Sequence, residues 1–413
     1  MAYIPPHKRH LTDASTPSPT PDFLVPQFSK NLNLSSSGSN VDRRKEKRAL
    51  KERKIVYANH SLSRWCVVGL TDDKQFPAYV GLEPTSLGSI ERKTGEKPLT
   101  LVDSRRGKEN SDAGGNISKS PWVYVAENVQ QDLLSYFENV RNEMEVNNVE
   151  EVKPSLTAKF GKILFHGDPS VGTESVRKNL VTEVKLRQLK RQFYTNVPSS
   201  YVKNIIDGVV PKIGVNFEEE KELYQIKLSD ITRPDSTISC KCSVTQDEKK
   251  LKLYKIELNQ VRHLVIDISC LDKNLDLRLM LSTKRILTSL TDDEKQSISN
   301  LISSAILDPD VKGGLRWPFG KESSGDRYSV IGVWHIKAKA YTNSSVRLRV
   351  RDADRFDFRS SAGEVAREIT LKMTGLVSQL REQKVEVESV SDQLKDTLKL
   401  VWDHFLSSAC SFT

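Results

Sequence analysis

The sequence predicts an α+β protein: a mostly antiparallel sheet flanked by helices, with a disordered N-terminal tail. Three observations predict it. Residues 1–42 hold six of the 17 prolines and seven serines, a composition that buries too little to offset the entropy of ordering a chain. Successive segments further on (LYQIKL, ISCKCSV, LKLYKIEL, HLVIDIS and LDLRLML) alternate apolar and polar residues, as strands with one packed and one polar face do. Two other stretches repeat apolar residues at three- and four-residue steps, the period of a helix with one buried face.

The tail comes first. In MAYIPPHKRH two adjacent prolines fix φ and push Ile4 out of the helical region. Tyr3, Ile4, Pro5, Pro6, His7, Lys8 and Arg9 are thus displayed on a short extended rod with no core around it, which suits a partner-binding motif. RRKEKRALKERK, residues 43–54, has eight basic residues among twelve. It reads either as a solvated helical lead-in or as a nuclear-import or nucleic-acid-contacting patch. Residues 1–54 therefore form one unit, a disordered tail ending in a basic run.

A first α+β region is expected over 55–194. RWCVVGL and LTAKFGKILFH read as strands, and residues 101–120, LVDSRRGKENSDAGGNISKS, as a flexible insertion. Between them Val129, Leu133, Phe137, Val140 and Met144 recur at helical spacing.

The second α+β region, 195–413, carries the alternating segments, with Leu264, Ile266, Ile268 and Cys270 on one side and His263, Asp267 and Ser269 on the other. TDDEKQSISNLISSAIL is a helix opened by a capping box, Thr291 to Glu294. Two helices close the chain. The last places Val387, Val390, Leu394, Leu398, Val401 and Phe405 on one face, fit to dock on the sheet or on a partner.

The totals exclude several classes. No run of 18 apolar residues and no signal-peptide core occurs in the 413 residues, so no membrane partner is expected. Five scattered cysteines argue against a disulfide scaffold and for the nucleus or cytoplasm. A net charge of +9 makes a polyanion partner reasonable.

Catalytic signals are thin. HGDPSVGTES approaches a phosphate-binding loop, but Thr173 and Glu174 stand where lysine and a hydroxyl are needed, and Pro169 removes a backbone donor. Cys240 and Cys242 share one face of a strand and read as core rather than as zinc ligands. No nucleophile elbow appears. These absences predict no catalytic residue, no metal ligand and no cofactor: a protein that is not an enzyme. In NFEEEKELYQIKL the carboxylates Glu218 to Glu222 read as a solvated acidic edge. A sheet of alternating Lys, Arg and Glu could enclose a triphosphate and metal, but the alternating-glutamate strand this needs is missing. Three or more carboxylates converging inside a barrel would bring an enzyme acting on nucleotides forward.

The strongest chemical pattern is RYSVIGVWHIKAKAYTNSSVRLRVRDADRF. His335, Lys337 and Lys339 alternate with apolar residues on one strand, and Arg347, Arg349 and Arg351 on the next. A five-residue loop places Ala340 opposite Val346, hence Lys339 opposite Arg347, Lys337 opposite Arg349 and His335 opposite Arg351. One face then carries five permanent charges and a histidine, although like charges directly opposite cost roughly 0.2–1 kcal/mol a pair. Two readings stand: a surface neutralised by Asp352, Asp354 and Asp357, or a face for RNA phosphates. Aromatic residues are not interleaved on it, so base reading of the RRM kind is not supported.

YIPPHKR is similar to the YIPPHLR stretch in the N-termini of DEAD-box RNA helicases, where it is associated with the cap-binding translation initiation factor. The whole chain resembles a plant family of uncharacterised proteins that begin MAYIPPHKRH, a resemblance extending through FGKILFHG and DLRLML to RVRDADRFDFRSS. The helicase resemblance implies translation or mRNA-associated partners for the tail.

The residues thus predict a non-enzymatic RNA-associated protein. It contacts phosphates through His335, Lys337, Lys339, Arg347, Arg349 and Arg351 and recruits a protein partner through Tyr3 to Arg9. The rival is an interaction scaffold that binds no nucleic acid, which exposed Leu394, Val401 and Phe405 would favour.

Overall fold

The computed structural model describes residues 55–407, apart from 69–78, 89, 92–94, 104–119, 147–149, 167–182, 234–235, 246–249, 289, 319–322, 325–326 and 383. The tail 1–54, its partner motif and basic run, the glycine loop 167–174 and most of the insertion 101–120 lie outside these residues. Residues 101–103 belong instead to a strand.

Strands of the N-terminal half are β1 (Val56–Val68), β2 (Val80–Pro84), β3 (Leu99–Asp103), β4 (Glu150–His166) and β5 (Lys190–Tyr194). They are followed by β6 (Asn216–Asp230), β7 (Thr237–Val244), β8 (Leu251–Glu257), β9 (Val261–Cys270) and β10 (Asp276–Leu287). The short β11 (Ile306–Leu307), β12 (Leu315–Arg316) and β13 (Ser323–Ser324) precede β14 (Tyr328–Thr342), β15 (Arg347–Asp357) and β16 (Ala362–Lys372). The helices are α1 (Pro121–Val146), α2 (Glu183–Gln188), α3 (Ser199–Asn204), α4 (Asp292–Ser303), α5 (Thr374–Leu380) and α6 (Val387–His404). The α+β class and the mostly antiparallel sheet are as the sequence predicts. One pairing departs: β1 runs parallel to β9.

The alternating strands do not lie flat. In order β4, β10, β8, β7, β6, β14, β15 and β16 they hydrogen-bond edge to edge, and β16 returns to β4 through Thr370, Leu371 and Lys372. The other seam is short, Ile286 opposite Glu257, reinforced by Leu258 N donating to Arg285 O at 2.9 Å. Eight strands closed this way leave an interior that side chains just fill, or that holds one small ligand. Strand β10 pairs with β4 over its whole length and also joins β9, so the regions 55–194 and 195–413 share one sheet.

Closure inverts the meaning of the alternation. On most strands the apolar side chains face outward, under helices, and the polar ones face in, whereas β14 keeps Ile336 and Ala338 inside. Helix α1 buries Val129, Leu133, Phe137 and Val140, and α6 buries Val390, Leu394, Leu398 and Val401, in one core with Leu277, Leu279 and Leu281 of β10 and Leu348 of β15. Each such side chain contributes about 1.5–3 kcal/mol. Leu264, Ile266, Ile268 and Cys270 join this core as the alternation predicts. The opposite side of β9 is not solvated: Asp267 accepts from Arg278 Nε at 2.6 Å and Nη2 at 2.8 Å, and Ser269 accepts from Trp65 Nε1 at 3.0 Å.

On the far side α4, capped by Thr291 and Glu294 as expected, packs Ile298, Leu301 and Ile302 onto Ile226, Ile238, Cys240 and Cys242. Both cysteines are core residues. Burial pushes the Cys242 thiol up to about 12. Among the described residues no helix is long and apolar enough to cross a membrane.

A cationic chamber inside the barrel

The hairpin of β14 and β15 sets the site, in a register other than the one the loop suggests. Thr342 pairs with Arg347, Ala340 with Arg349 and Ala338 with Arg351, while Lys339 pairs with Val350, Lys337 with Asp352 and His335 with Asp354. The predicted face of five charges and a histidine does not form. A shift of three residues puts the lysines and the arginines on opposite surfaces. The physical reason is the barrel: with a polar interior, charged-beside-small pairs such as Arg349 and Ala340 are the packed arrangement, and no like charges sit opposite one another between β14 and β15.

Outside, the lysines meet the acidic run of β6. His335 Nε2 lies 2.6 Å from Glu222, Lys337 3.5 Å from the same carboxylate, and Lys339 3.5 Å from Glu220. The His335 ring also stacks on Tyr224 at 4.6 Å. Exposed pairs of this kind stabilise little, but they neutralise the outer face. The acidic run is thus no free edge: Glu220 and Glu222 serve the outside, whereas Glu219 pairs with Ala340 and points inward.

Inside, register brings one end of every barrel strand except β14 to a common chamber of about 470 Å³. Lys153 and Ser155 come from β4, Lys284 from β10, Lys255 and Glu257 from β8, Lys241 from β7, Glu219 and Lys221 from β6, Arg347 and Arg349 from β15, and Lys372 from β16. Among the described residues, eight cationic side chains share this chamber with two carboxylates. Both carboxylates are already held. Glu257 lies 2.9 Å from Lys241 and 2.9 Å from Lys255, and Glu219 accepts from Arg347 Nη2 at 2.9 Å and pairs with Lys221. Burial alone would raise the Glu257 carboxyl, but Lys241, Lys284 and Lys255 hold it down near 2.

The surplus of cations shows in the amines. Burial, then the neighbouring charges of Lys372, Lys241 and Arg349, outweigh Glu257 and lower Lys284 to about 7. Burial with Arg347, Arg349 and Lys241 nearby lowers Lys372 to about 8. These are like charges confined together, a costly arrangement that a polyanion relieves.

The chamber has a floor. Leu223, Ile336, Ala338 and Ala353 pack together across the middle of the barrel. Beyond them Glu368 takes Arg355 Nη2 at 2.8 Å, with Arg351 Nη1 at 3.7 Å and Thr195 Oγ1 donating at 3.1 Å. Arg351 and Arg355 also lie 5.0 and 4.4 Å from the Trp334 ring. Arg351 is therefore spent in this plug. Of the six predicted RNA-contacting residues, Arg347 and Arg349 line the chamber, Arg351 lies beneath it, and His335, Lys337 and Lys339 lie outside. The sequence reading missed Lys153, Lys221, Lys241, Lys255, Lys284 and Lys372. Alternation in ISCKCSV puts Lys241 on the polar face, but only ring closure makes that face concave, and in LKLYKIEL strict alternation sets Lys255 on the face of Leu253, away from the site.

Fold and chamber together define a class: a closed antiparallel barrel with a blind, cationic interior. The chain belongs to the family described as a domain of unknown function, DUF7903, whose model matches residues 49–405. No curated protein matches it. Among solved structures it is similar to the S. pombe Pct1 RNA triphosphatase, with 11% identity over 68% of this chain and 90% of that one, at a TM-score of 0.40. The same triphosphatase in complex with the Spt5 CTD gives 12%, 68%, 89% and 0.38. A putative adenylate cyclase from Bacillus halodurans gives 10%, 53%, 91% and 0.22.

Proposed function

We propose that this protein binds phosphate polyanions, RNA among them, without chemical turnover, and that the phosphates enter the barrel instead of lying across the hairpin's outer face. One observation carries the reading: eight cations converge in one chamber whose two carboxylates are already neutralised. Phosphate oxygens supply the missing counter-charge through charge-assisted bonds to lysine and arginine. An eight-stranded barrel is too narrow for a duplex, and the apolar floor stops a strand from threading through. The chamber therefore suits the end of a phosphate chain.

The non-enzymatic part rests on the carboxylates. Among the described residues Glu219 and Glu257 line the chamber while Glu368 lies beyond the apolar floor, so the three do not converge, and each is engaged by cations. The scaffold alternative loses its main support, since Leu394, Val401 and Phe405 are 1%, 0% and 0% exposed. The tail motif Tyr3–Arg9 remains the proposed recruiter of a translation or mRNA-associated partner, in the nucleus or cytoplasm.

The test is equilibrium binding of the full-length protein to a fluorescent mixed-sequence RNA at several salt concentrations, with tripolyphosphate as competitor. Affinity falling linearly on a log–log plot, with displacement by tripolyphosphate, supports the chamber. Binding that tripolyphosphate does not displace moves the contacts elsewhere, and no binding at low salt overturns the reading.

A further inference from the structure

Strand β8 carries an irregularity that the phosphate-binding reading does not use. Its register with β7 slips between Lys241 and Cys242: Lys241 pairs with Lys255, but Cys242 pairs with Leu253. Tyr254 is the extra residue. Leu253 and Ile256 pack on the outer core, so the bulge turns two consecutive side chains, Tyr254 and Lys255, onto the inner surface, where both line the chamber. A β-bulge re-aims a side chain in this way and is common beside binding sites.

Tyr254 is 51% exposed. Phosphates alone gain nothing from it. The same cavity also has apolar walls on other elements, Pro154 of β4, Met373 before α5 and Val377 on α5. A chamber for inorganic phosphate chains has no need of an aromatic ring and these walls next to its cations. A ligand with phosphates at one end and a flat ring attached would use both.

We propose, resting on the phosphate-binding reading above, that the ligand is a nucleotide end. Its phosphates lie among Lys284, Arg349 and Lys372, and its first base stacks on Tyr254. The stacking face accepts any base, because a π-face carries no donor–acceptor code. Recognition is therefore of a phosphorylated terminus, whatever its sequence. A free nucleoside triphosphate and the 5′-triphosphate end of an RNA share this chemistry.

The test compares tripolyphosphate, ATP and a 5′-triphosphorylated RNA of ten nucleotides on the full-length protein, for wild type, Tyr254→Ala and Tyr254→Trp. ATP and the RNA should bind more tightly than tripolyphosphate. Tyr254→Ala should lower their affinity about tenfold, as loss of one stacked base does, with tripolyphosphate unchanged. Tyr254→Trp should preserve the preference, which separates stacking from misfolding of the alanine variant. Tighter binding of the RNA than of ATP identifies the terminus of a chain as the ligand, and equal binding the free nucleotide. If tripolyphosphate binds as well as ATP and neither variant changes the ratio, the nucleotide inference is overturned and the phosphate chamber stands. If none of the three binds, both fail.

Discussion

Ala340 sits directly across from Arg349, and that pairing sends the arginines of β15 into the barrel and the lysines of β14 to its outer surface. Had Lys339 met Arg347, as the loop length suggests, all of these charges would share one face. The observed register separates a lined chamber from a surface already matched by Glu220 and Glu222.

This separation sets the first expectation. Arg349→Glu should weaken binding of RNA and tripolyphosphate at least tenfold, while Lys337→Glu with Lys339→Glu should change it less than about twofold, since exposed rim charges contribute little. Competition binding checks both, and circular dichroism checks that each variant is folded. Equal losses from the two variants would return the site to the outer face.

Lys284 is held among like charges at a cost to the empty protein. Lys284→Met should therefore raise stability by on the order of 1 kcal/mol, as hydrophobic replacement of a buried charge often does, while weakening tripolyphosphate binding. Thermal unfolding with and without ligand reads the two effects in opposite directions. A variant that loses stability and keeps affinity would show that Lys284 belongs to packing.

The same amines give a pH dependence with a definite sign. Lys284 and Lys372 titrate near 7 and 8 in the fold, against an ordinary value of 10.5. Between about pH 7 and 10.5 the unfolded chain binds more protons than the folded one, so the cost of burying these amines is full below that window and is relieved as pH rises through it, and stability rises with pH. Phosphate binding runs the other way, tightening as pH falls and taking up protons. Urea midpoints across pH 7–10 and calorimetry in buffers of different ionisation enthalpy measure the two trends. Proton release on binding would contradict the assignment.

Beneath the chamber, Glu368 is the carboxylate that Arg351 and Arg355 share. Burial opposes its charge, yet Arg355, Lys159 and Arg351 hold its carboxyl below the usual range. Glu368→Gln leaves those cations uncompensated and should cost about 3–5 kcal/mol, the usual penalty for breaking a buried pair from one side. Denaturant titration measures it. A loss under about 1 kcal/mol would mean that water reaches the plug.

Much of this molecule is local, and local features were legible. Thr291 and Glu294 cap α4 because a capping box is closed within four residues. The spacing of Val129, Leu133, Phe137 and Val140 fixes one face of α1 whatever it packs against. Period two in HLVIDIS and LDLRLML fixes which side chains share a face, and the absence of a lysine after Gly172 removes a phosphate loop.

What the sequence could not fix was which face is inside. Alternation has two solutions, and in an open sheet the apolar face is the interior, which would leave Lys241 of β7 on the solvent side. Tertiary structure chose otherwise: α1, α5 and α6 cover the apolar surface from outside, and β16 meets β4 to enclose the polar one. The register of β14 with β15 and the bulge at Tyr254 depend on that closure, because each trades local pairing against filling a ring of eight strands. Strand content and polarity were determined by residues next to one another in the chain. The chamber was decided by contacts such as Lys372 opposite Thr157, which no local pattern records.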